Sequence, residues 1–145
     1  MKPTATFVPA GAGETVALMG ITMTLKQTAA QSGGLLSVIE QAVAPGAGSP
    51  LHQCSREDKI IYVLDGEFAV RLGEATQPAG AGSMAIIPRG ITHNFTNVGD
   101  RPGRVLVILT PGGHEHFLQA LSEGVATGGK AAAPAIAQKY GVTLC

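Results

Sequence analysis

The sequence predicts an all-β fold, a sandwich or barrel, finished at its C-terminal end by short helices. Three observations carry this. Short β-rich apolar runs follow one another along most of the chain: TVALMG, ITMTLKQT, LLSVIEQAV, KIIYVLDGEFAVRLG, SMAIIP, HNFTNV and RVLVILT. Turn signals rich in Gly and Pro separate them: SGG, PGAGSP, LDGE, PAGAG, PRG and NVGDRPG. After RVLVILT the period changes, and in HEHFLQALSEG the residues Phe117, Leu118 and Leu121 recur at helical spacing. Many short strands at regular spacing are the pattern of a sandwich or barrel.

Taken in order, residues 1–34 supply N-terminal strands that join the barrel. In TVALMG and ITMTLKQT the Val, Ile and Thr residues suit a pleated, half-buried surface. The core barrel is expected over residues 35–112. LLSVIEQAV and KIIYVLDGEFAVRLG alternate only partly, as strands lining a barrel do. SMAIIP ends at Pro88, Arg89 and Gly90 turn the chain, and His93 starts the next strand. RVLVILT completes the set. Residues 113–145 form a helical segment expected to cap one face of the barrel. Gly112 and Gly113 make the strand-to-helix turn, and Gly124 is the expected stop of the first helix. TGGKAAAP reads as a linker, and PAIAQKYGV as a second helix with Pro134 near its start. The whole reads as one domain without internal repeats.

Bulk properties remove several function classes. A chain of 145 residues suits one domain with one core. Acidic and basic residues balance at ten each, so there is no basic face for nucleic acid. Tryptophan is absent and aromatics are few, which leaves no platform for base stacking. No apolar run is long enough to span a membrane. MKPTATFVPAGAG lacks the long apolar core of a secretory signal, so the expected location is the cytoplasm. Cys54 and Cys145 are too few for a disulfide scaffold, and no bridge between them is expected.

The chemistry concentrates in two segments. In HQCSREDK, His52 and Cys54 are two residues apart, so on a strand both face one centre. In GSMAIIPRGITHNFTN, His93 shares its strand face with Phe95 and Asn97. Convergence of His52, Cys54 and His93 would bring together two imidazoles and a thiol. That donor set suits zinc, copper, nickel or iron(II) better than magnesium or calcium. Tyr62, Phe68 and Phe95 are expected to shape an apolar substrate pocket. His114 and His116 open the helix, where this spacing puts them on different faces, and both are expected in solvent.

These two segments resemble those of a small single-domain cupin of the quercetin-dioxygenase-like kind. The first cupin motif reads here as Gly46, His52, Cys54, Lys59 and Gly66, and the second as Gly82, Pro88, Gly90, His93 and Asn97. The second is complete and the first is altered. The likeness spans about residues 35 to 112, and TPGGHEHFLQAL is similar to the tail that follows such barrels. It implies a cupin jelly-roll β-barrel (a double-stranded β-helix), a small-molecule substrate or ligand in the barrel, and association as a homodimer. It also implies a divalent metal such as zinc, nickel, copper, iron or manganese, held by three histidines and a glutamate. Carried over position by position, His52 and His93 match ligands, Cys54 replaces a histidine and Lys59 replaces the glutamate.

Cysteine can ligate a borderline metal, but lysine puts a cation where an anion is needed. The leading expectation is a metal-dependent dioxygenase-like or isomerase-like enzyme with an atypical His52, Cys54, His93 site, its metal affinity weakened by Lys59. The alternative is a metal-free binding protein in which Lys59 and the histidines hold an anionic ligand. Covalent chemistry through Lys59 or Cys54 is a third reading. Cys54 beside Lys59 is expected to carry a lowered thiol pKa. The Lys59 ammonium is expected to reach the barrel mouth, and Glu57 to point outward.

Overall fold

The structure, a computed structural model, describes residues 4–145. Its strands are β1 (Glu14–Leu18), β2 (Ile21–Gln27), β3 (Ser37–Val43), β4 (His52–Cys54), β5 (Asp58–Asp65), β6 (Glu67–Leu72), β7 (Ala75–Gly80), β8 (Met84–Ile87), β9 (His93–Asn97), β10 (Gly103–Thr110) and β11 (Val142–Leu144). The helices are α1 (Ala29–Ser32), α2 (His114–Gly128) and α3 (Ala133–Lys139). The strands form two antiparallel sheets, in the orders β1-β2-β3-β10-β5-β8 and β11-β4-β9-β6-β7. This is the expected jelly roll, in which strands close in sequence are dealt alternately to the two sheets.

Strand alternation builds the core. In β10, Val105, Val107 and Leu109 are buried while Arg104, Leu106 and Ile108 look outward. Ile39, Val43, Ile61 and Val63 join them from the same sheet, and Phe68, Val70 and Phe95 face them from the other. Each such side chain contributes about 1.5–3 kcal/mol on burial. A one-residue slip would turn every one of them to solvent, so the pattern also pins the register. Gly103 permits close approach of the sheets: a Cβ there would lie 2.7 Å from Phe68 Cε2 and 3.0 Å from the Asp65 carbonyl oxygen. The turn at LDGE passes through Gly66 at φ +100°, a conformation natural to glycine.

The C-terminal segment departs from expectation in three respects. First, α2 does not stop at Gly124 but runs on to Gly128. A Cβ at Gly124 would lie 2.1 Å from Ile136 Cδ1, so this glycine lets α2 and α3 pack closely rather than ending the helix. Second, the expected linker is taken up by the end of α2, a 3-10 turn at Lys130–Ala132 and the start of α3. Third, the tail beyond α3 adds β11, which pairs with β4 in the register Val142 to Cys54 and Leu144 to His52. Pro134 sits in the first turn of α3, as expected. None of the helices is long and apolar enough to cross a membrane. Cys54 and Cys145 are both free.

Candidate functional site: a lysine among histidines

Parity of three strands assembles the site. His52 and Cys54 of β4 point inward with Gln53 between them turned away. His93, Phe95 and Asn97 point inward from β9. Lys59, Ile61 and Val63 point inward from β5. β4 and β9 pair at His52 and His93, whose rings stand 4.3 Å apart. Asn97 does not enter the site. Its amide donates to the carbonyls of Val43 and Arg101, and its Oδ1 accepts from Gly99 N, so it ties the chain after β9 to β3.

Lys59 takes the centre. Its Nζ lies 3.2 Å from His52 Nε2 and 2.8 Å from His93 Nε2. The tautomers follow from the far side of each ring. His52 Nδ1 is 2.6 Å from the Pro50 carbonyl oxygen and His93 Nδ1 is 2.8 Å from that of Ile91. A carbonyl can only accept, so both Nδ1 atoms carry the hydrogen and both Nε2 atoms offer lone pairs. An ammonium has three hydrogens to give, and here two of them meet acceptors, which leaves one. Lys59 therefore does not reach the barrel mouth as expected. It is 6 % exposed, and the waiting acceptors offset the loss of water.

Burial dominates the electrostatics. It pushes His52 down to about 3, with the Lys59 and His93 charges adding to the shift and the Pro50 carbonyl opposing it. His93 falls to about 4 through burial and then Lys59, against the Ile91 carbonyl. Both rings are neutral at neutral pH. Burial likewise lowers the Lys59 amine below its ordinary value, opposed by Cys54 and Glu57. The Cys54 thiol is raised, because burial outweighs the pull of Lys59. The lowered thiol pKa expected from the sequence is thus reversed: Cys54 is a protonated thiol, a poor nucleophile.

Four further residues stand elsewhere than the sequence suggests. Tyr62 does not line the pocket, since its parity on β5 is opposite to that of Lys59, and it is 39 % exposed on the outer face. Phe68 is buried in the core, edge-on to Phe95 at 6.1 Å and against Gly103, away from the pocket. Glu57 points inward and is buried. So is His114, while His116 is in solvent near Glu115. The different helix faces were readable from spacing; which face met the barrel was not.

The pocket is a cavity of about 310 Å³ between the sheets and α2. Phe95 lines it as expected, with Met23, Val107, Phe117, Leu121 and other apolar side chains. His52, Lys59, His114 and Gln41 are among its few polar groups. It suits a mostly apolar molecule whose oxygen function meets the lysine end.

The donor atoms of His52, Cys54 and His93 lie within 4.8 Å of one another, close enough for one metal ion. Lys59 Nζ, however, uses both Nε2 lone pairs, and no carboxylate takes the position that Lys59 has replaced. With Lys59 in this position, the set does not fit a metal of the kind that three histidines and a glutamate hold.

Comparison with known proteins agrees with the fold. The cupin domain model matches residues 39–109. Polyketide synthase CurC of Streptomyces cyaneus is 33 % identical over 67 residues, covering 46 % of this chain and 44 % of that protein. The chain spans about half the length of the curated relatives it matches. Among solved structures, KdgF from Halomonas sp. superposes with a TM-score of 0.70 at 20 % identity, over 78 % of this chain and 99 % of that one. TT1209 from Thermus thermophilus is 31 % identical, with a TM-score of 0.52, over 54 % of this chain and 74 % of its own. The jelly roll, the two motif segments on β4 to β5 and β8 to β9, and these likenesses lead to one conclusion: the chain carries a cupin domain over residues 39–109.

Proposed function

We propose that this cupin domain holds a small, largely apolar organic molecule in its barrel pocket and that the Lys59 ammonium takes the part a metal plays in metal-binding cupins. The observation that carries this is the placement of Lys59 Nζ between the two Nε2 atoms, in the wall of a mostly apolar cavity. A carboxylate, phenolate or enolate oxygen entering there meets a fixed positive centre in a low-dielectric wall. Charge-assisted hydrogen bonds of this type contribute about 1.5–3 kcal/mol. The relation to CurC, named as a polyketide synthase, favours a polyketide-like ligand. If the ligand carries a carbonyl, the same amine can attack it and form a Schiff base with loss of water, and borohydride would trap that adduct.

The test uses 1-hydroxy-2-naphthoate, a fluorescent aromatic carboxylate. Wild type should bind one equivalent, and Lys59→Met should weaken binding by about tenfold or more, the loss of one charged contact. Equal binding by wild type and by a folded Lys59→Met protein refutes the reading.

A second reading rests on the convergence of His52, Cys54 and His93. It makes the protein a metal enzyme of the quercetin-dioxygenase-like kind, and it requires Lys59 to leave the site. Near-stoichiometric metal in the protein purified without chelator, lost in both Cys54→Ala and His93→Ala, would favour it.

We also infer a homodimer formed through the outer face of the six-stranded sheet. Tyr62 pairs with Met84 and Ile60 with Ile86 there, and Met84 and Ile86 are 57 % and 61 % exposed on an edge strand. An apolar edge of this kind is normally covered, and the chain's zero net charge does not oppose self-association.

A further inference from the structure

Beside the Lys59 cluster lie two buried polar atoms with no partner among the described residues, Glu57 Oε2 and His114 Nδ1. Both residues are 94 % buried, by their 6 % exposure. A buried carboxylate oxygen without a donor is costly, and folded proteins keep one only where something completes it. Cys54 stands with them: its Sγ, a Glu57 oxygen and a ring nitrogen of His114 all lie within 4.8 Å of one another. The three residues come from β4, from the turn before β5 and from the first residue of α2.

We propose that Cys54, Glu57 and His114 form a binding site for a divalent transition ion of the zinc class, separate from the centre that Lys59 occupies. The donor chemistry selects the ion. A mixed sulfur, oxygen and nitrogen set matches zinc or cobalt(II), whereas magnesium and calcium take oxygen ligands. A thiolate and a carboxylate neutralise a divalent ion and the imidazole adds no charge, while the Lys59 cation, which acts on all three residues, opposes the ion and is outweighed only if both anions bind. Binding breaks the Cys54 S–H bond, forms a metal–sulfur bond and releases the proton to solvent; no electron moves. Three protein donors leave a fourth position for water or for a ligand atom, and His114 also lines the pocket. Only Cys54 is shared with the His52 and His93 pair, which stays hydrogen-bonded to Lys59. The proposal is independent of any role for Lys59 as an anion holder.

Cobalt(II) is the probe, titrated into the full chain. Wild type should develop a thiolate-to-cobalt charge-transfer band that saturates at one equivalent, and zinc should abolish it. Glu57→Gln and His114→Ala should each weaken cobalt binding by about tenfold or more, as loss of one of three donors implies. His116→Ala, at an exposed neighbour, should leave it unchanged. His114→Gln serves as a second variant that fills more of the space, and melting curves without cobalt show whether each variant folds. Absence of the band in wild type overturns the proposal. So does a band that survives in His114→Ala and His114→Gln but vanishes in His93→Ala, because the ion would then sit on the other donors.

Discussion

Acid should unfold this protein through its buried histidines, and His52 allows the size of the effect to be worked out. Its pKa is about 3 in the folded chain against an ordinary value of 6.5. The folded value is the lower one, so the unfolded chain takes up the proton first. Stability is therefore intact above 6.5, falls as pH drops below it, and levels off near 3. At pH 5 the unfolded ring is largely charged and the folded ring is not, which costs about 2 kcal/mol from this residue alone at about 1.4 kcal/mol per pH unit. His93 and His114, lowered mainly by their own burial, act in the same direction. Glu57, raised by burial, acts in the opposite direction and recovers part of the loss. Total stabilities are about 5–15 kcal/mol, so the net loss is a visible fraction. Urea unfolding at pH 7.5, 6 and 5 measures it. The midpoint should fall between pH 7.5 and 5, and a His52→Gln protein should lose less over that interval. A flat profile in wild type would refute the claim that these rings are held neutral inside the barrel.

Three further outcomes follow from geometry. Gly48→Ala should destabilise by about 1–3 kcal/mol in thermal melting, as overpacking does, because the new Cβ would meet the Phe95 carbonyl oxygen at 2.1 Å. Glu115→Ala should lower stability by about 2–6 kcal/mol, the range for two orphaned donors, since this buried carboxylate accepts from Ser37 Oγ and from Ala29 N at 2.8 Å; equal melting temperatures for variant and wild type would count against that anchor. Ile86→Lys should convert the proposed dimer to monomer in sedimentation velocity without changing 1-hydroxy-2-naphthoate binding, and a wild type that sediments as a monomer at high concentration removes the dimer.

The barrel was legible because its strands speak through period and punctuation. The run RVLVILT and the pair His52 and Cys54 alternate as written, and the second motif places His93 at a strand start, where it stands. The site was legible in its residues but not in its state. Whether Lys59 points in or out depends on a long, flexible side chain finding acceptors, and those come from strands distant in sequence. Tyr62 was misplaced by a count of one: once Lys59 faces inward, the same strand must turn Tyr62 out. Glu57 belongs to a turn whose parity the strand pattern does not set. His114 could not be read because the first residue of a helix takes its direction from what the helix packs on. β11 is three residues long, too short to carry a period, and only its neighbour β4 makes it a strand.

That last pairing gives β4 an unusual dependence. The strand that presents His52 and Cys54 is three residues long and meets β9 at a single paired position, His52 to His93, whereas β11 covers its whole length. The carbonyl of Leu51 is likewise taken by Cys145 N. During synthesis β4 emerges early, yet its main support arrives only with residues 142–145. Until then it is a bare edge carrying a thiol, and its inward residues have no fixed direction. Proteolytic nicking near Gly141 would thus be felt first in the pocket and only later in the barrel.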